Sequence, residues 1–311
     1  MRIAIVDVGT NTTRLFLADI EDGRHTHEIL RISRVTRLGT GVDAGGRLLD
    51  DALAREHAVL AEYRELISDN GADRAVAVMT SAVRDAANGS DFAGEVAARY
   101  GLQVHVLSGD EEADLTYRGA TDELDPSGPD ANRRILVVDI GGGSTELVVG
   151  RGRTPEFHVS TQAGVVRQAD RHIAHDPPTG AELADIAADV RAVLEHAVPA
   201  AARSGIERAL AVAGTPTSLA AIAQDLEPYD PAQVHGYVLT ATKRDEIFER
   251  LARLPLEQRR RVRGLHPDRA ITILPGIVIL TAAMQLFGLN AVETSEHDIL
   301  RGAALAYSQA G

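Results

Sequence analysis

The sequence is conspicuous first for what it lacks. It contains no cysteine, which excludes disulfides, a cysteine nucleophile and any thiolate metal site. No apolar run approaches the roughly 20 residues of a membrane helix, so no membrane partner is expected. The opening Met-Arg-Ile-Ala-Ile-Val-Asp reads as a β-strand, not as a signal peptide, and the cytoplasm is the expected compartment. There is no excess of positive charge: the net charge is −13, the reverse of a nucleic-acid footprint. Lysine is almost absent. Lys243 is the only one among 32 basic residues, and it lies outside any Gly-x-x-x-x-Gly-Lys-Ser/Thr loop, so there is no Walker site. What remains is an ordinary globular composition, 44% hydrophobic and 25% charged over 311 residues, a length that suits two domains.

An internal repeat organises those residues. Residues 3–17 read IAIVDVGTNTTRLFL and residues 135–149 read ILVVDIGGGSTELVV. Aligned without gaps, Asp7 pairs with Asp139, Gly9 with Gly141, Thr12 with Ser144, Thr13 with Thr145 and Arg14 with Glu146. Each copy reads as a hairpin whose tight turn sets backbone N–H groups and hydroxyls beside a carboxylate. Turn amides form an anion-binding concavity, and the carboxylate, Asp7 or Asp139, can hold a divalent cation or orient water. Around the repeats, the patterns predict helices over 50–68 and 180–197, strands over 75–80, 102–107, 209–213 and 291–294, and a last helix over 299–308 that crosses back to the first domain. The turn-rich Asp125-Pro-Ser-Gly-Pro-Asp130 marks the boundary. The expected domains are 1–124 with 298–311, and 125–297.

Several side chains could carry chemistry. Ser108 and Glu111 have capping-box spacing, which gives Glu111 a structural task and turns Glu112 elsewhere. Glu112 then reads either as a general base for water or as a first-turn acid that favours the helix dipole. Arg84, at a strand end, reads as a phosphate clamp or as an ion-pair partner of Asp85 or Glu95. Gly214 and Thr215 open a further small-residue loop ahead of a helix. Arg259, Arg260, Arg261 and Arg263 form a basic run, read as a solvated helix face or a polyanion contact. His297-Asp298 has too little chain after it for a metal-dependent His-Asp domain and reads as structural.

The segments DVGTNTTRL, TSAVRDA, LSGDEEADLTYRG, VVDIGGGSTELVVG and AVAGTPTSLAA, with DRAITILPG and SEHDILRG near the end, give the chain a resemblance to the exopolyphosphatase/guanosine pentaphosphate phosphohydrolase family over essentially all its length. The resemblance implies an α/β chain of the actin-like ATPase superfold: two RNase-H-like domains with an interdomain cleft in which the two turns meet, forming a homodimer. It implies Mg²⁺ and a substrate of inorganic polyphosphate or guanosine pentaphosphate, with no nucleic acid. Position by position, Glu112 matches the catalytic glutamate, and Asp139 and Glu146 the acidic pair near the metal. Thr10, Asn11 and Thr12, with Gly141, Gly142, Gly143, Ser144 and Thr145, match the phosphate loops. Arg84, Gly214, Thr215 and Arg269 match further substrate-side positions. The sequence departs from the family at Leu300-Arg301-Gly302, where a glutamate often precedes the glycine, and Arg301 is given no function. It also resembles the short form, without added C-terminal helices. A small-molecule kinase of the same superfold and a non-enzymatic phosphate sensor are the competing readings.

Overall fold

A computed structural model describes residues 1–22 and 25–309. The chain divides into two units, Met1–Asp122 with His297–Gly311, and Glu123–Glu296.

In the first unit the repeat's hairpin is the start of a sheet. Strand β1 (Arg2–Val8) turns back into β2 (Thr12–Glu21), and β3 (His25–Val35) extends the antiparallel run. β4 (Arg74–Met79) pairs parallel to β1 on its other side, and β5 (Gln103–Val106) parallel to β4, giving the order β3-β2-β1-β4-β5. Side chains alternate across a strand, so β1 feeds two cores. Ala4, Val6 and Val8 pack with Leu60, Tyr63, Phe92 and Val96 from the helices Asp50–Asp69 and Gly89–Tyr100. Ile3 and Ile5 face the other way, towards Leu300, Ala303 and Ala304 of the helix Ile299–Tyr307. Both faces of β1 are covered, hence its uninterrupted apolar run. The final helix therefore returns to the first unit, where it lies against the helix Gly109–Ala120. That contact requires glycine on both sides. A Cβ at Gly119 would stand 1.9 Å from the Asp298 carbonyl oxygen, and one at Gly302 1.8 Å from that of Leu115. Arg301 binds Asp122 through Nε at 2.6 Å, a structural tie between the final helix and the turn that follows Gly109–Ala120.

The second unit repeats the plan. β6 (Arg134–Ile140), β7 (Thr145–Arg151) and β8 (Thr154–Thr161) run antiparallel, β9 (Arg208–Val212) pairs parallel to β6, and β11 (Ala291–Thr294) parallel to β9. A short β10 (Val238–Thr240) closes the edge, and the order is β10-β11-β9-β6-β7-β8. Its core joins Leu136, Val138 and Ile140 to the helices Gly180–Ala197 and Ile273–Leu286. The sequence missed β3, β8 and β10 as separate strands. One member of the basic run is corrected: Arg259 is buried, with Nη2 on Asp176 at 3.1 Å and Nη1 on the Ala270 carbonyl at 3.1 Å, while Arg261 and Arg263 are exposed. Arg259 anchors a loop and does not line a solvated face. No helix among the described residues is long and apolar enough to cross a membrane.

One buried acid lies under the first hairpin. Glu56, fully buried, accepts from the Thr13 hydroxyl, whose oxygen is 2.7 Å from both carboxylate oxygens. Burial pushes its carboxyl up to about 7, against the hydrogen bonds of Thr13 and Thr36. The folded protein thus retains a proton that the unfolded chain sheds near its ordinary value of 4.5. Stability is lost as pH rises between these values, and the cost persists above them. Glu56→Gln should therefore gain on wild type by at least about 2 °C in melting temperature between pH 5 and pH 8. Thermal melts at both pH values check this, and a difference that does not change with pH would contradict it.

Candidate active site

Each hairpin turn is closed by the same bond. The Gly9 amide donates to the Thr12 carbonyl at 3.1 Å, and the Gly141 amide to that of Ser144 at 3.0 Å. Neither turn spends all its amides. Among the described residues, Thr10 and Asn11, and likewise Gly142, Gly143 and Ser144, donate no backbone hydrogen bond. Such groups are an anion-binding feature. Both turns follow the carboxyl end of a strand that has parallel neighbours, the usual place for a ligand site in α/β sheets.

Around the first turn, Thr10 is buried and shares a hydrogen bond of 2.9 Å with Ser81. Asn11 reaches Thr12 Oγ1 through Nδ2 at 3.4 Å. Asp7 lies opposite Arg14 in the β1–β2 register. Arg14 holds Asp7 Oδ2 through Nη2 at 2.6 Å and Nε at 2.9 Å, and it also binds Asp298, which caps the last helix by accepting from Leu300 N at 3.0 Å. Asp298 is thus structural. Asp7 Oδ1 is buried and has no hydrogen-bond partner.

Arg84 and Glu112 meet although 28 residues separate them. After β4 the short helix Ser81–Asp85 carries Arg84, and after β5 the helix Gly109–Ala120 carries Glu112. Arg84 Nη1 donates to Glu112 Oε2 at 3.0 Å and to the Leu107 carbonyl at 2.9 Å. Of the ion pairs read from the sequence, Asp85 stands 3.7 Å from Arg84, while Glu95 stands 3.5 Å from His57 instead. The neighbouring Glu111 makes the capping box with Ser108, accepting from its amide at 2.8 Å. That amide and the Ser108 hydroxyl hold the Glu111 carboxyl below its usual range. Cap geometry thus commits one glutamate and leaves Glu112, buried, beside the arginine.

The second hairpin differs in charge. Asp139 lies opposite Glu146 in the β6–β7 register, and both are buried. Like charges directly opposite on neighbouring strands are destabilising. Glu146 Oε1 accepts from the Ser160 hydroxyl at 2.7 Å. Two carboxylates from adjacent strands are an all-oxygen donor set, which fits Mg²⁺. The turn itself is fixed through its carbonyls: Gly141 accepts from Val165 N at 3.0 Å, Gly142 from Val166 N at 2.8 Å, and Gly143 from Arg167 Nε at 3.0 Å. Thr145, buried, donates to the Ala163 carbonyl.

In the loop after β9, Ala213 has a φ of 70°, and the helix Gly214–Ala223 follows. Arg269 Nη1 donates to the Gly214 carbonyl at 3.0 Å and to Ser218 Oγ at 3.1 Å. Thr215 is buried against Gly276, where a Cβ would come within 2.2 Å of its hydroxyl oxygen. The second unit thus brings Gly214, Thr215 and Arg269 together. Sequence reasoning assigned no role to Arg14, Ser81, Ser160 or Ser218. Only Arg14 gave a signal, as the charge-reversed counterpart of Glu146 in the repeat.

The duplicated sheet order and the matched turns define an α/β protein of the actin-like ATPase superfold, built from two RNase-H-like units. Within that class, residues 17–305 match the Ppx/GppA phosphatase family. Exopolyphosphatase 2 of Mycobacterium tuberculosis is 38% identical over 98% of each chain. The crystal structure of the Aquifex aeolicus Ppx/GppA family member is 32% identical, covers 100% of this chain and 98% of its own, and has a TM-score of 0.81. That of an exopolyphosphatase-like protein is also 32% identical, covers 100% and 99%, and has a TM-score of 0.91. The chain belongs to the Ppx/GppA phosphatase family.

The second turn leaves no room behind it. A Cβ at Gly164 would stand 2.2 Å from the Gly143 carbonyl carbon and 2.4 Å from the Gly142 oxygen, both backbone atoms. Gly164→Ala must therefore displace the turn. It should destabilise the protein by about 1–3 kcal/mol, the usual range for overpacking, and cut phosphatase turnover well below what the remaining folded fraction accounts for. Denaturant melts and phosphate-release assays on the same samples check this; wild-type specific activity would contradict it.

Proposed function

We propose that the chain is an exopolyphosphatase, which hydrolyses the terminal phosphoanhydride bond of inorganic polyphosphate and releases orthophosphate. The observation that carries the reading is the Arg84–Glu112 pair. It sets a proton acceptor beside a guanidinium that keeps a nitrogen for an anion, in a family of phosphatases and in a chain similar to a protein named exopolyphosphatase 2.

Glu112 takes a proton from a water molecule as the water oxygen bonds to the terminal phosphorus. The anhydride P–O bond breaks, and its electron pair stays on the oxygen of the shortened chain. Arg84 keeps Nη2 for a phosphate oxygen, since Nη1 is spent on Glu112 and Leu107. In the first unit the amides of Thr10 and Asn11 can donate to phosphate oxygens, and in the second unit those of Gly142, Gly143 and Ser144 can do the same. Gly214, Thr215 and Arg269 receive further phosphates. Phosphoryl transfer depends mainly on positioning and charge stabilisation, so these groups suffice in kind. Asp139 and Glu146 would hold Mg²⁺, and when bound the ion supplies positive charge to phosphoryl oxygens.

Glu112→Gln keeps the hydrogen bond to Arg84 possible but removes the proton acceptor. Turnover should fall by about 10²–10⁴-fold, the scale of a lost general base, with folding unchanged. Near-wild-type turnover would sink the assignment. Phosphate release from polyphosphate and from guanosine pentaphosphate, measured side by side with and without Mg²⁺, tests the substrate. The expected result is Mg²⁺-dependent release from polyphosphate at the higher kcat/KM. Preference for the nucleotide, or full activity after thorough chelation, would overturn the corresponding part of the reading.

A further inference from the structure

Arg37 follows β3, in a loop laid over the first hairpin's turn. Thr36 and Arg37 donate their amides to the Asn11 carbonyl at 3.2 and 3.0 Å, and the Gly39 amide donates to that of Thr10 at 2.8 Å. The fit is close: a Cβ at Gly39 would stand 2.2 Å from Thr10 Cγ2. Arg37 itself has a φ of 52°, in the left-handed region where a side chain is disfavoured and glycine is at ease. Backbone strain of this kind is retained where something else holds it, commonly a functional site.

The side chain supplies a second and independent observation. Arg37 Nε is buried and has no hydrogen-bond partner. Four arginines of this unit hold a carboxylate, Arg14 on Asp7, Arg34 on Glu62, Arg55 on Asp51 and Arg84 on Glu112, and Arg118 is held by the Leu305 carbonyl and the Gln309 amide oxygen. Arg37 makes no such ion pair among the described residues. A guanidinium nitrogen removed from water without an acceptor loses hydration for no return. On the same turn, Asn11 Oδ1 is also buried and without a partner. An unspent donor and an unspent acceptor at one turn do not satisfy each other. They fit a ligand that both accepts and donates, as a hydrated or protonated phosphate does.

We propose that Arg37 is a phosphate-binding residue, which holds one phosphate of the substrate chain against the Thr10–Thr12 turn. This rests on the polyphosphate reading above and adds a substrate contact to it. The strain then has a reason, since glycine would suit the backbone and arginine is kept for its side chain.

The same feature makes the inference testable, because Arg37→Gly removes the strain and the guanidinium together. Its melting temperature should equal or exceed that of wild type. Its KM for inorganic tripolyphosphate should rise by about tenfold or more, the scale of one lost charge-assisted contact, with kcat changed less. Its affinity should also depend less steeply on salt. Arg37→Gln, which keeps the backbone conformation but not the charge, should show the same rise in KM. Calorimetric titration of tripolyphosphate into Glu112→Gln, with and without each Arg37 change, gives the Kd without turnover. Unchanged Kd and KM in both variants would overturn the inference and leave the polyphosphatase reading intact. Absence of polyphosphate hydrolysis by wild type would sink that reading, while the Kd comparison still decides whether Arg37 binds phosphate.

Discussion

The register of the two hairpins is the constraint on which the rest depends. One amide-to-carbonyl bond closes each turn, and it fixes which residue faces the first carboxylate across the strands. In the first hairpin that residue is Arg14, opposite Asp7; in the second it is Glu146, opposite Asp139. Identical backbone frames therefore carry opposite electrostatics. The first contains its own cation. The second sets two buried acids opposite each other, like charges that are destabilising in that position. A slip of one residue in either register would send every side chain of that strand to the other face and destroy that hairpin's arrangement.

The scaffold serves this register from a distance. Arg14 reaches Asp298, Asp298 caps the final helix, and that helix meets the Glu112 helix through facing glycines at 119 and 302. Asp7 and Glu112 are thus tied to one packed body, which suits groups that must keep their places through a reaction. In the second unit the helix Val165–His172 does the equivalent work by capturing the carbonyls of the Gly141–Gly143 turn. With its carbonyls committed, the turn has its amides left for an anion.

Much of this was legible because it is local. The hairpins, the Asp50–Asp69 and Gly180–Ala197 helices and the Ser108–Glu111 cap each depend on residues close in sequence. What could not be read depends on long-range packing. Nothing near Arg84 identifies Glu112 as its partner. The Arg259 run has the composition of a solvated face, and its first member is buried on Asp176, 83 residues away, and on the Ala270 carbonyl. Arg37 is an ordinary loop arginine until its backbone conformation and its unspent nitrogen are seen. Strands β3 and β8 were missed because their exposed edge positions dilute the alternation expected of a half-buried strand.

The central claim is that water, deprotonated by Glu112, attacks the terminal phosphorus. Hydrolysis of polyphosphate in ¹⁸O-enriched water, followed by mass spectrometry of both products, tests it directly. The account predicts one solvent oxygen in each released orthophosphate and none in the shortened chain. Label in the chain would place the attack on the wrong phosphorus, and turnover that requires an acceptor molecule and leaves orthophosphate unlabelled would replace hydrolysis with phosphoryl transfer.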